Sequence, residues 1–157
     1  MKLLLIDDEA PVREILGLSL RSEGYEVMTA ASGKEGIEIF RRENPPIVLT
    51  DIKMPGMDGI EVLKKIKQIN PETEVIIITG HGDMDLAIQS LQFEASDFIT
   101  KPIKDEALAV ALKRAKEKLE MKQRLKEYTT NLENKVKEAI EELRIKEMQL
   151  FQSKKLA

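Results

Sequence analysis

Asp7, Asp8, Asp51, Thr79 and Lys101 are the residues of this sequence whose types and spacing could do chemistry. Asp7 and Asp8 follow the run Leu3-Leu-Leu-Ile6, Asp51 follows Ile47-Val-Leu-Thr50, Thr79 closes Val75-Ile-Ile-Ile78, and Lys101 follows Asp97-Phe-Ile-Thr100. If those runs are parallel strands of one sheet, all five groups meet at a single edge. Three converging carboxylates repel one another unless a cation lies among them. An all-oxygen, carboxylate-rich set with room for water suits Mg2+. An ammonium and a hydroxyl beside it complete an arrangement that can neutralise and hold a phosphoryl group, because phosphoryl transfer is mainly positioning and charge stabilisation. Each residue also has a plainer explanation. An Asp after a strand often caps the next helix, Thr79 would serve as an ordinary strand residue, and Pro102 would serve to start the last helix. Five such residues at one edge favour the chemical reading.

The elements that must position them are legible up to about residue 103. Short runs from Lys2 to Ile6, Glu26 to Ala30, Ile47 to Thr50, Val75 to Thr79 and Asp97 to Thr100 alternate with helix-length amphipathic stretches. Three runs are continuously apolar, as strands covered on both faces by helices should be, which predicts a parallel central sheet. Pro11 opens a helix that closes near Gly24, Ser32-Gly-Lys-Glu35 and Asp58-Gly-Ile-Glu61 have capping-box spacing, and Asp83 or Asp85 is expected to cap Leu86 to Phe93. Five β-then-α units predict a doubly wound α/β domain, with its site at the carboxyl ends of the strands where the winding reverses.

Composition narrows the function classes. Apolar residues make up 42% of the 157 and aromatics only 4%, with no Trp, so a base-stacking or sugar-binding surface is disfavoured. Without Cys, thiol catalysis and disulfide scaffolds are excluded, and one His cannot supply the usual zinc set. Leu3 to Ile6 is too short for a signal-peptide core or a membrane span, so a cytoplasmic location without membrane partners is expected. Residues 1–103 hold 11 Lys+Arg against 18 Asp+Glu, whereas residues 104–157 hold 14 against 10. The basic clusters of that tail are broken by Glu, the pattern of a solvated helix face, which disfavours nucleic-acid binding.

From Asp105 to the end neither Gly nor Pro interrupts the chain, and a helix over about 105–152 would run roughly 70 Å. Leu108, Leu112, Ala115 and Leu119 form a stripe suited to packing on the sheet. Beyond them Leu125, Leu132 and Ala139 recur every seven residues, with Thr129, Val136, Leu143 and Leu150 as a second row. These heptads predict a parallel two-stranded coiled coil and hence a homodimer, weakened at its far end by Lys146 in a core row. The six-residue step from Leu119 to Leu125 puts the two stripes out of phase. The alternative, a lone amphipathic helix folded back on the domain, is disfavoured because both faces past Lys122 are heavily charged.

Asp7-Asp8-Glu9, Thr50-Asp51-Ile-Lys-Met-Pro-Gly-Met-Asp-Gly59, Thr79-Gly80 and Asp97-Phe98-Ile-Thr-Lys101-Pro102, in that order, resemble the receiver domains of two-component response regulators. The resemblance covers about residues 1–120 and leaves 121–157 as a coiled-coil signalling helix continuing from the last receiver helix. It implies a flavodoxin-like five-stranded sheet of order 2-1-3-4-5, with Asp51 as phosphoacceptor for a phosphohistidine donor. It further implies that Asp8, Asp51 and the Lys53 carbonyl hold Mg2+ directly and Asp7 does so through water. Lys101 would contact the phosphoryl oxygens, Thr79 would move to bond them, and Phe98 would be the aromatic switch that swings in behind. The Lys101-Pro102 peptide would be cis. Two positions depart from the pattern or stand apart from it. Glu94-Ala95 occupies the place where the family usually has Gly-Ala, and His81 lies two residues past Thr79, where the family modulates phosphoryl lifetime but a plain loop histidine is the favoured reading.

The tail carries a second resemblance. Leu132-Glu-Asn-Lys-Val136, Glu141-Glu-Leu143 and the ending Gln149 to Ala157 look like the coil leading into the phosphoacceptor helix of sensor histidine kinases. The expected output is therefore a histidine kinase region beyond Ala157, with this chain doing no turnover besides self-phosphorylation and autodephosphorylation. The alternatives are the receiver of an ATPase-type transcription activator or another output domain, and a degenerate receiver acting as a structural dimeriser. A flavodoxin-type small-molecule binder would need a Gly-rich loop after Ile6, and a Mg2+-dependent phosphatase would turn over stable phosphomonoesters.

Overall fold

The computed structural model describes the backbone of residues 1–156 and the side chains of residues 1–155. The Lys155-Leu156-Ala157 ending expected to lead toward a kinase helix falls partly outside the described residues. Five strands, β1 (Lys2–Ile6), β2 (Glu26–Ala30), β3 (Ile47–Asp51), β4 (Glu74–Thr79) and β5 (Asp97–Thr100), alternate with helices α1 (Ala10–Ser22), α2 (Gly33–Glu43), α3 (Gly59–Ile69), α4 (Met84–Gln92) and α5 (Asp105–Leu156). The strands form one parallel sheet in the order β2-β1-β3-β4-β5. The expected doubly wound topology and long C-terminal helix are both present.

Strand pleating explains why the three inner runs are apolar throughout. Leu4, Ile6, Val48, Val75 and Ile77 face one core, with Ile37 and Phe40 of α2 and Ile60, Leu63 and Ile66 of α3. Leu3, Leu5, Ile47, Leu49, Ile76 and Ile78 face the other, with Leu16 and Leu20 of α1 and Leu108, Ala111, Leu112 and Ala115 of α5. Successive side chains point to opposite faces, and here both faces are covered.

Local signals place the helix starts. The Ser32 side chain accepts from Glu35 N at 3.1 Å and that of Asp58 from Glu61 N at 2.9 Å. Glu35 completes the first box by accepting from Ala31 N, one residue earlier than the usual partner. Asp83 stands at the N-cap of α4 but makes no side-chain cap, because its carboxylate is turned to Lys53 instead. The cap expected there is absent. Glu94 adopts φ +70, so the turn after α4 takes the left-handed conformation that suits Gly even though a Cβ is present. Backbone bonds from Glu94 N to Leu91 O and from Ala95 N to Ser90 O hold that turn.

The chain divides into two compact units, Met1–Leu119 and the segment from Glu120 onward. In the second, the side chains up to Lys155 are exposed apart from a half-exposed Lys122. No helix among the described residues is long and apolar enough to cross a membrane.

Candidate functional site

Register brings the acidic residues together. Ile6 pairs with Thr50 and Thr79 with Thr100, so Asp7, Asp51, Thr79 and Lys101 leave neighbouring strands at the same C-terminal edge. The order of strands reverses between β1 and β3, and the site lies there. One carboxylate oxygen each from Asp7, Asp8 and Asp51 lies within 4.8 Å of the others. Asp7 is fully buried and Asp51 nearly so, while Asp8 is exposed.

The loop after β3 is shaped by a close approach. A Cβ on Gly59 would stand 2.4 Å from the Asp51 carbonyl oxygen, so only glycine lets α3 begin there. Gly59 N donates to Ile52 O at 2.9 Å, closing the loop. Asp7 is oriented from the other side, since its Oδ1 accepts from Glu9 N at 2.9 Å and its carbonyl accepts from the Arg13 guanidinium at 2.7 Å.

Lys101 reaches across the edge from β5. Its Nζ donates to Asp51 Oδ2 at 3.0 Å and lies 3.6 Å from Asp7 Oδ2. The Lys101-Pro102 peptide is cis. Burial pushes the Asp51 carboxyl above the ordinary aspartate range, with Lys101 opposing and Asp8 adding to the rise. Asp7 is raised by burial, then by the charge of Asp51. For Lys101 burial works downward, but the hydrogen bond and charge of Asp51 outweigh it and the ammonium is held above its usual range. The edge thus carries more negative charge than its one ammonium balances.

Two oxygens there are unsatisfied. Asp7 Oδ2 and Thr79 Oγ1 are buried without a hydrogen-bond partner among the described residues. Such atoms are costly and call for an ion, a water or a ligand. The donors are hard carboxylate oxygens, so a divalent ion of the Mg2+ type fits them. Phe98 is half-buried beside Thr100 and packs against the core that contains Ile77. Lys53 is exposed, with its ammonium 2.8 Å from Asp83 Oδ1. His81 is exposed. Arg13 and Asp83 escape sequence reasoning because each acts through a backbone group or a partner in another loop.

Residues 3–113 match the family described as response regulator receiver domain. Over 110 residues the chain is 41% identical to the transcriptional regulatory protein GlrR of Escherichia coli, a match covering 70% of this chain and 25% of that protein. It is 37% identical to sporulation initiation phosphotransferase F of Bacillus subtilis, over 72% of this chain and 91% of that one. A crystal structure of a response regulator receiver domain protein from Clostridium thermocellum superposes with a TM-score of 0.73 at 37% identity, covering 79% of this chain and 98% of that chain. The chain spans about a quarter of the length of the regulator it matches at 41% identity.

Proposed function

The chain belongs to the response regulator receiver family, and from that premise we propose that it is the phosphoacceptor module of a two-component system, with Asp51 taking a phosphoryl group from a phosphohistidine donor. The observation that carries this reading is the pairing of Asp51 with Lys101 at 3.0 Å inside a cluster of three acids, next to a buried threonine hydroxyl with no partner. An oxygen of Asp51 attacks phosphorus, a P–O bond forms, and the P–N bond to the donor imidazole breaks with its electron pair left on nitrogen. The product is an aspartyl phosphate, which water later cleaves to restore the carboxylate and release inorganic phosphate. Lys101 moves its hydrogen bond from the carboxylate to the transferring oxygens. Thr79 donates its hydroxyl to a phosphoryl oxygen, and Phe98 follows into the space behind it. Asp8, Asp51 and the Lys53 carbonyl would hold Mg2+ directly and Asp7 through water, and the ion would supply charge neutralisation at the phosphoryl group.

The rows Leu125/Leu132/Ala139 and Thr129/Val136/Leu143/Leu150 support a homodimer through a coiled coil over 121–157 that transmits the change. We assign the output to a histidine kinase region following the coil, on the resemblance of its sequence. A second reading, a transcription regulator, is favoured by the name of the Escherichia coli relative.

Incubation with acetyl phosphate and Mg2+ tests the phosphoacceptor. The chain should gain one hydroxylamine-sensitive phosphoryl group, and Asp51→Asn should gain none. Equal labelling of the Asp51→Asn chain, or labelling indifferent to chelator, overturns the reading.

A further inference from the structure

Asp83 is a buried carboxylate that capping does not explain. It occupies the N-cap position of α4, yet it accepts no bond from the first turn. Its Oδ1 instead holds the Lys53 ammonium at 2.8 Å, with the Asp83 side chain only 7% exposed and that of Lys53 70% exposed. Its other oxygen would lie 3.4 Å from a Cβ placed on Gly80, so the carboxylate faces the open side of the residue that follows Thr79. One ion pair therefore joins the loop after Asp51 to the loop after Thr79.

We propose that the Lys53–Asp83 pair is a latch on the unphosphorylated site and that Asp83 is its positioning residue. This inference rests on Asp51 being the phosphoacceptor. Thr79 Oγ1 is buried and unpartnered. On the proposed function Thr79 moves to donate to an oxygen added at Asp51, and the end of β4 moves with it. Gly80 moves with Thr79, and Asp83 follows three residues later in the same loop with its carboxylate facing Gly80. That carboxylate is buried and its cation is anchored two residues past Asp51, so displacement must stretch or break the pair. An uncompensated buried charge is costly, which makes the pair resist the movement. The exposure of Lys53 limits the resistance, because solvent screens the ammonium. The latch thus tunes how readily the site accepts its phosphoryl group without touching that group.

The test is equilibrium binding of beryllofluoride, a phosphoryl mimic, with Mg2+ in the full chain. Binding is read from the 19F resonances of free and bound ligand and from the Gly80 amide shift. Lys53→Met and Asp83→Asn should each tighten binding by about two- to fivefold. The double variant should gain no more than the better single one, since both changes open the same pair. If charge alone acted, the two variants would move in opposite directions, because one removes a cation and the other an anion. Opposite shifts, strict additivity, or affinities equal to the parent's overturn the latch while the parent still binds. Absence of binding by the parent overturns the phosphoacceptor reading and the latch together. Thermal melts of both variants establish that they fold, and Asp83→Asn removes no helix cap bond that the parent possesses.

Discussion

At the C-terminal edge of the sheet the incomplete groups are buried and polar, whereas along α5 beyond Leu119 they are exposed and apolar. Asp7 Oδ2 and Thr79 Oγ1 have no hydrogen-bond partner among the described residues, and three acids face one ammonium. Leu125, Leu132, Val136, Leu143 and Leu150 lie on the surface at 50–65% exposure. Each region concentrates groups that stand without a complement, and each points to what would complete it. On the proposed function a cation and a phosphoryl group would satisfy the buried oxygens, and a second helix would cover the apolar stripe. Between them α5 begins as an ordinary core helix, with Leu108, Ala111, Leu112 and Ala115 buried.

The sharpest contrast lies within that one helix. Leu112→Ala should destabilise the α/β unit by about 2 to 4 kcal/mol, since it empties a filled core position. Leu132→Ala should leave the unfolding free energy of that unit within about 0.5 kcal/mol while weakening self-association. Denaturant titration and analytical ultracentrifugation read the two effects separately. A Leu132→Ala chain that unfolds early but sediments like the parent would mean that the exposed stripe serves the domain rather than a partner.

The polar edge should show the opposite behaviour, with stability gained when a charge is removed. Burial and Asp51 raise the Asp7 carboxyl above its ordinary range, so the folded state binds its proton more tightly than the unfolded state does. The contribution of Asp7 to stability is therefore fully present below the unfolded aspartate range and is lost as pH rises through the raised folded value. At pH 7 Asp7→Asn should stabilise the protein by about 1 to 2 kcal/mol. The gain should vanish as pH falls into the ordinary aspartate range, where both side chains are neutral. Mg2+ at pH 7 should narrow it by stabilising only the parent strongly. A difference independent of pH would show that the edge carries no charge strain.

The smallest effect concerns the turn between α4 and β5. Glu94→Gly should stabilise by about 1 kcal/mol, because φ +70 costs a side chain about that much. Chemical denaturation with an unchanged slope would report it, and a loss of stability would mean that the Glu94 side chain supports the turn.

Much of this molecule was legible because its signals are local. Apolar runs mark the three inner strands, Ser32 and Asp58 cap as their spacing predicts, and residues following parallel strands must share an edge. Asp83 misled because its composition and place favour a cap, while its true partner lies thirty positions earlier on another loop. Arg13 was silent because it binds a carbonyl, which every residue possesses. Glu94 takes a glycine-like conformation that no local propensity predicts, and the surrounding turn bonds impose it.

On the proposed function, phosphorylation at the polar edge alters packing along the apolar rows. The sequence contains no cysteine, so Leu132→Cys and Ala139→Cys can be spin-labelled without background. Inter-chain distances measured by pulsed dipolar spectroscopy, without and with Mg2+ and beryllofluoride, test it directly. The account predicts a single dimer population whose distances at the two positions shift by about 2 Å or more on binding, and no shift in Asp51→Asn. Unchanged distances in a dimer shown to hold beryllofluoride would contradict it.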